Sequence, residues 1–378
     1  MKKILFATTA LVATAGAASA EIALTGLAEM GILGGSRYGD TTQFMTDIDV
    51  TFTMSGEADN GLTFGANIDL DESDGSGSAG GSGTCFISDN DDIDAAMTIN
   101  GETVDFGNVV GGVTEGGAFS DGDNDNAECF VTAYGAATGN SNAFVNTLQG
   151  GEVIWVAYGN AKLSMGDVDG AFDAAMQEVN IGGSIDDSET WHTGFSGNSG
   201  LDGTYDGQIA QFAYTFNSFT AYLSAEIDDS GTFDPVWGIG FRYTAELAGL
   251  DLGVGLGYQT VDYGSGFDES IWGISLDTTF NNGIQARVNY SDFQSDIVAD
   301  WTHSAIGLGY TMNALTIGFN YGKYDFQGGA ESKGYGLAVD YDLGGGLEVQ
   351  FGYGYSEVKV GGASADADSF SLGLAMSF

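Results

Sequence analysis

Apolar and polar side chains alternate with period two along residues 44–72. Phe44, Thr46, Ile48, Val50, Phe52 and Met54 share one parity, while Met45, Asp47, Asp49, Thr51, Thr53 and Ser55 share the other. After the polar turn Gly56-Glu57-Ala58-Asp59-Asn60-Gly61 the alternation resumes, with Leu62, Phe64, Ala66, Ile68 and Leu70 opposite Thr63, Gly65, Asn67, Asp69 and Asp71. Successive residues of a strand point to opposite faces, so each run is a strand with one apolar and one polar face. Strands of soluble sandwiches are usually about 5–6 residues long. A tilted strand that crosses a bilayer needs about 9–11, and these two runs match the longer figure. They predict a hairpin of a membrane barrel.

The rest of the chain repeats that hairpin. A first strand is expected at Ile22–Ile32, with Thr25 and Glu29 on the face opposite Ala28 and Met30. Val153–Tyr158 and Ala161–Asp167 pair about Gly159-Asn160. From Phe212 onward, alternating runs turn at Asn217-Ser218, near 246–250, at Asn281-Asn282-Gly283, at Asn313 and at Gly344-Gly345-Gly346. The reading is all-β, an antiparallel transmembrane barrel of sixteen strands. Short turns alternate with long polar connections, including 73–150 and roughly 169–206, as in barrels with short periplasmic turns and long outer loops. Outward aromatics fall near both strand ends: Phe216, Phe219, Phe280, Tyr310, Tyr341 and Phe378 at the short turns, Tyr258, Tyr290, Tyr321, Tyr335 and Tyr353 toward the long loops. Two such girdles mark the membrane interfaces.

Composition narrows the reading. Residues 1–20 join Lys2 and Lys3 to an apolar run and an Ala18-Ser19-Ala20 cleavage pattern, an expected signal peptide with the barrel domain spanning 21–378. Sixty-two glycines and one proline suit long ladders that need every N–H. The net charge of −44 argues against nucleic acid, whose phosphates require Lys and Arg, and predicts attraction for cations. Cys85 and Cys129 in an exported chain predict a structural disulfide; neither belongs to a CxxC or neighbours a histidine. The inward parity is rich in Thr, Ser, Asn, Gly and Asp. Buried unpaired, such groups cost about 1–3 kcal/mol each, whereas a barrel this wide has room for a water-filled channel.

Candidate chemistry concentrates on that inner face. Folding the first hairpin antiparallel should set Asp47 opposite Asp69 or Asp71, so that Asp47, Asp49, Asp69 and Asp71 form an acidic patch on the pore wall; the alternative places them at a solvated rim. Asp121, Asp123 and Asp125 stand at alternate positions, as carboxylates do in calcium loops. The pattern then fails at Asn126 and Thr132, which leaves a solvated acidic loop as the plainer reading and bound calcium as the alternative. No cofactor is required. His192 and His303 are the two histidines; His303 and Ser304 should point to opposite faces, which excludes a nucleophile–base pair.

The exported start, the Phe44–Leu70 hairpin with its Phe52–Gly56 turn entry, and Tyr341-Asp342-Leu343-Gly344-Gly345-Gly346 resemble general diffusion porins, above all those of alphaproteobacteria and purple bacteria. Lys162–Asp167 and Asp169–Met176 resemble that family's fifth strand and the start of its third loop, and Phe378 resembles its C-terminal aromatic. The resemblance covers most of 21–378. It implies a homotrimer in the outer membrane, in contact with lipid and lipopolysaccharide, and an inward third loop that narrows each channel. Asp167, Asp169, Asp173, Glu178, Asp186 and Asp187 would then be the acidic constriction. The family sets a basic cluster across the pore; here the basic wall reduces to Lys162, Arg242 and Arg287, so cation preference should be stronger. The 73–150 segment is a long insertion, within which Ala95–Phe106 reads as a hairpin about Asn100-Gly101. The function expected is passive diffusion of small hydrophilic solutes and cations, with no catalysis. The rivals are a plugged structural or adhesive barrel and a substrate-selective channel.

Overall fold

The computed structural model describes residues 21–71, 96–99, 102–105, 148–228 and 230–378. The expected signal peptide, Cys85 and Cys129, and Asp121, Asp123 and Asp125 lie outside these residues. The strands run in chain order as β1 (Glu21–Gly34), β2 (Gln43–Glu57), β3 (Thr63–Asp71), β4 (Ala96–Ile99), β5 (Glu102–Asp105), β6 (Leu148–Tyr158), β7 (Ala161–Gly166), β8 (Ile209–Phe216) and β9 (Phe219–Glu226). They continue as β10 (Val236–Leu247), β11 (Leu250–Asp262), β12 (Asp268–Phe280), β13 (Ile284–Ser295), β14 (Trp301–Met312), β15 (Leu315–Phe326), β16 (Glu331–Gly344), β17 (Leu347–Val360) and β18 (Ala363–Ser377). All but β4 and β5 form one closed antiparallel barrel of sixteen strands, with β18 returning to pair with β1. β4 and β5 pair only with each other, within the segment where a hairpin was expected.

Burial follows strand parity, but inside out. On β10, Trp237, Ile239 and Phe241 are exposed while Gly238 and Gly240 are buried. A membrane barrel presents its apolar face to lipid, so this inversion is the ordinary burial of a fold whose outer solvent is hydrocarbon. The short turns need left-handed residues at their tips, which Asn supplies at Asn217 (φ 52°) and Asn313 (φ 55°). The aromatics Phe216, Phe280, Tyr310, Tyr341 and Phe378 are exposed at the short-turn end. Phe378 also closes the seam: its N–H donates to the Gly26 carbonyl at 2.9 Å, and its own carbonyl accepts from the Gly26 N–H at 3.3 Å.

The register of the first hairpin differs from the expectation. Asp49 stands opposite Asp71 and Thr51 opposite Asp69, while Asp47 reaches beyond β3 and faces Glu29 of β1. The turn between β2 and β3 is tighter than the polar run suggested, because Glu57 already pairs with Thr63. Carboxylates still meet carboxylates, with different partners. Thr51 relieves one of them by donating to Asp69 at 2.9 Å.

Candidate pore constriction

Residues 167–208, between β7 and β8, fold into the barrel and lie on its inner wall. The outbound leg crosses the strands in order. Ala171 N–H donates to Ser224 of β9 at 2.8 Å, Gln177 N–H donates to Ser275 of β12 at 2.9 Å, and Asp186 N–H donates to Glu29 of β1 at 3.1 Å. The return leg goes back nearer the long loops. Thr193 N–H donates to Ser356 of β17 at 3.1 Å, Gly194 accepts from His303 of β14 at 2.9 Å, and Leu201 N–H donates to Gln259 of β11 at 2.8 Å. The lap ends at Glu226 of β9, whose carboxylate accepts from the N–H groups of Gly203, Tyr205 and Gly207 at 2.9–3.1 Å. The neck is tied by Asp202, which accepts from Gly170 N–H at 2.7 Å and from Gln259.

The wall beneath the loop is paved with glycine. A methyl group on Gly255, Gly307, Gly318 or Gly336 would overlap the carbonyl oxygens of Ala175, Val179, Ile181 and Glu189 respectively. Two backbones approach this closely only where the Cβ is missing. Near the neck the loop also builds a dry core: Phe172, Met176 and Leu201 pack on Val236, Val261, Ile271 and Phe293. A short helix, α1 (Ala171–Ala175), presents Phe172 to that core and leaves Asp173 half-buried on its other side.

The six expected constriction carboxylates are not equivalent. Asp167 sits at the root of the loop, exposed, with its N–H donating to the Glu152 carbonyl at 3.0 Å. Asp169 is exposed. Burial, followed by the charges of Asp169, Asp202 and Glu178, pushes Asp173 up to about 8. Burial also raises Glu178, with Arg287 opposing it in part. Asp186 and Asp187 occupy left-handed backbone at φ 54° and 43°, a region Asp enters more readily than most residues. The protein around them raises both carboxyls; Asp186 accepts from Tyr38 at 2.9 Å, and Asp187 stays exposed. Asp47 and Glu29 of the neighbouring wall share this corner.

The basic residues do not face the loop across the pore. Arg287 lies under it and donates to the Asn180 carbonyl and, at 3.4 Å, to that of Glu178. Arg242 is paired with Asp277 over the space left by Gly253. Of the three expected, Lys162, on β7, stands apart from the loop, its ammonium 5.5 Å from the Trp155 ring. Arg37, from the β1–β2 connection, was not expected here; its guanidinium stacks 3.5 Å above Trp191 of the loop. Sequence reasoning also missed Glu226, Gln259, Asn289 and Asn320, which hold loop backbone or side chains. Their common signal was amide and carboxylate side chains on the inward parity, beside glycines of the same parity.

Among the described residues no cluster of three or more His, Cys, Asp or Glu is arranged to hold a metal ion. His303 is buried and Ser304 exposed, on opposite faces as expected. The arrangement is a wall-hugging loop with a carboxylate edge, set in an inner surface that is otherwise hydroxyl, amide and carboxylate.

The model of the Gram-negative porin family matches residues 7–361. In structure the chain is similar to a porin refined at 1.8 Å resolution, with TM-score 0.59 and 18% identity over 95% of this chain and 100% of that one. It is also similar to a triple mutant of Rhodopseudomonas blastica porin, with TM-score 0.55 and 18% identity over 94% of this chain and 100% of that one. None of the curated proteins compared matches the chain.

Proposed function

The chain belongs to the Gram-negative porin family, and from that premise we propose that its outer-membrane diffusion channel prefers cations and passes small hydrophilic solutes without turnover. The observation that carries the preference is the composition of the narrowed section. Asp169, Asp173, Glu178 and Asp187 lie along the loop, while Glu29, Asp47 and Asp49 lie on the inward parity of β1 and β2. The arginines of the inner wall are occupied by loop carbonyls and by Asp277. Fixed charge of one sign in a narrow, low-dielectric passage concentrates ions of the other sign. We extend the reading to a homotrimer embedded in outer-membrane lipid and lipopolysaccharide after removal of residues 1–20, to a Cys85–Cys129 bridge, and to calcium held by the acidic loops.

The test is planar-bilayer recording of the purified protein under a KCl gradient. Stepwise conductance with a cation-selective reversal potential is expected. Converting Asp167, Asp169 and Asp173 together to Asn should lower the cation-to-anion permeability ratio severalfold. Asp169 should contribute more than Asp167, which sits at the loop root, and Asp173 should contribute only above about pH 8, where its carboxyl is charged. An unchanged reversal potential would remove the loop carboxylates from the selectivity region. Correctly folded protein that never conducts would favour a plugged structural barrel instead.

A further inference from the structure

The long-loop end of the barrel carries exposed apolar tips on three neighbouring connections. Phe233 lies between β9 and β10, Phe267 between β11 and β12, and Ile297 and Val298 between β13 and β14, each between 43% and 56% exposed. These tips lie on the loop side of the outward aromatics at the strand ends. Phe267 is five residues beyond the outward Trp272, and Val298 is eight beyond Tyr290. At about 3.3 Å per residue that is roughly 16 Å or more of chain past the aromatic girdle. Lipid therefore does not account for their exposure, and soluble surfaces seldom show several apolar side chains together without a partner.

The tips are held in place. Asp228 accepts from the N–H groups of Thr232 and Phe233, both at 2.9 Å, and fixes the turn that presents Phe233. Phe233 meets Tyr263 edge-on at 5.5 Å. Backbone bonds stitch each connection to the next: Asp234 N–H to the Asp262 carbonyl at 3.2 Å, Asp296 N–H to that of Asp268 at 3.1 Å, and Gln327 N–H to that of Asp300 at 2.7 Å. A rigid surface binds without first losing loop entropy. The charge around the tips has one sign. Residues 227–235, 262–268 and 295–300 contain aspartates and no Lys or Arg.

We propose that these three tips form a docking face for a polypeptide that presents basic and apolar side chains together. Charge selects this occupant over the others within reach. Lipopolysaccharide phosphates are anionic. A second copy of the chain carries a net charge of −44, and the chain's own segment 73–150 has twelve acidic residues and no basic one. Each would bring like charge against the aspartates. The face lies outside the channel and is separate from conduction.

The test uses the full-length protein in nanodiscs of zwitterionic lipid at physiological salt. Fluorescence anisotropy compares a short amphipathic Leu/Lys peptide with a Ser/Lys peptide of equal charge. The Leu/Lys peptide should bind about tenfold or more tightly, a preference worth about 1.4 kcal/mol. Changing Phe233, Phe267, Ile297 and Val298 to Ser should erase the preference while conductance is retained. If that variant fails to fold, F267S and V298S are read singly, each expected to reduce it. Combining D234N, D268N and D296N should weaken both peptides, whereas D169N/D173N in the channel should change neither. Equal binding of the two peptides, or loss of binding only in the channel variant, would overturn the proposal. So would tip-dependent association with lipopolysaccharide micelles or between copies of the protein when no peptide is present.

Discussion

Glu226 shows how much a single carboxylate does in this protein. It is 2% exposed, has no cationic partner among the described residues, and accepts three backbone N–H groups from the returning loop. Hydrogen bonds to a charged acceptor are worth about 1.5–3 kcal/mol each net. Glu226→Gln should therefore loosen the loop neck by a few kcal/mol, seen as faster proteolysis within 199–208 in the folded protein and as noisier open-channel current. Protonation acts on the same loop in two directions. Asp173 sits near 8 and Glu189 near 7 when the loop is seated, against ordinary values of 3.8 and 4.5. The seated loop then holds protons that a released one would lose, so its stability is full at low pH and declines as pH rises through those values. His192 is opposite in sign. Burial lowers it from 6.5 to about 4, so its contribution is intact above 6.5 and declines as pH falls toward 4. Between about pH 4.5 and 6.5 the two carboxyls lose more than the one imidazole gains, so the loop should be quietest near pH 4 and its current noise should rise toward pH 8, with cation preference falling as pH drops below 8. A flat noise profile from pH 4 to 9 would contradict this account.

At the scale of elements, the loop and the wall under it form one unit. The wall supplies glycine where the loop backbone passes, and apolar side chains where Phe172 lands. Gly318→Ala would set a methyl into the Ile181 carbonyl. The loop should shift by the width of that methyl, at about 1–3 kcal/mol, with unit conductance as the readout. Phe172→Ala removes a fully buried ring, a change that costs about 3–5 kcal/mol in other cores. It should raise loop mobility, measured by hydrogen exchange at 171–181, while the strands stay protected. The strands themselves were legible in the sequence because period-two alternation runs through β8–β18 with few polar breaks on the outward face, such as Thr278 and Asp292, and Asn217 and Asn313 marked turns. The loop was legible as an acidic segment but its seat was not. Inward glycines read as weak strand positions until a second backbone is known to press on them. Arg287 read as a wall charge for the same reason, since alternation gives the face of a side chain and says nothing of what lies across from it. The register of β2 on β3 differs by two or four residues from the two alternatives expected, because a polar turn of six leaves its own length undecided.

Across the whole molecule, charge sets how the channel should respond to its medium. The carboxylates of the narrowed section act through water, so salt should blunt them. The Debye length falls from about 10 Å at 0.1 M to about 3 Å at 1 M. Cation preference measured at a fixed gradient ratio should therefore shrink as total KCl rises, while the Arg287 clamp and the glycine seat remain unchanged. A preference independent of salt would place the selectivity in close contacts instead of in the field. The seam of the barrel has a consequence of another kind. Gly26 and Phe378 are bonded to each other, although nearly the whole chain lies between them. Bringing such distant points together costs about 5 kcal/mol of chain entropy before any contact is gained. Closure of the cylinder should thus come late in assembly, after the local hairpins. Until then β1 and β18 are two open edges, and a joined-end chain reopened at the Asn217 turn would meet its ring closure at a different pair of strands.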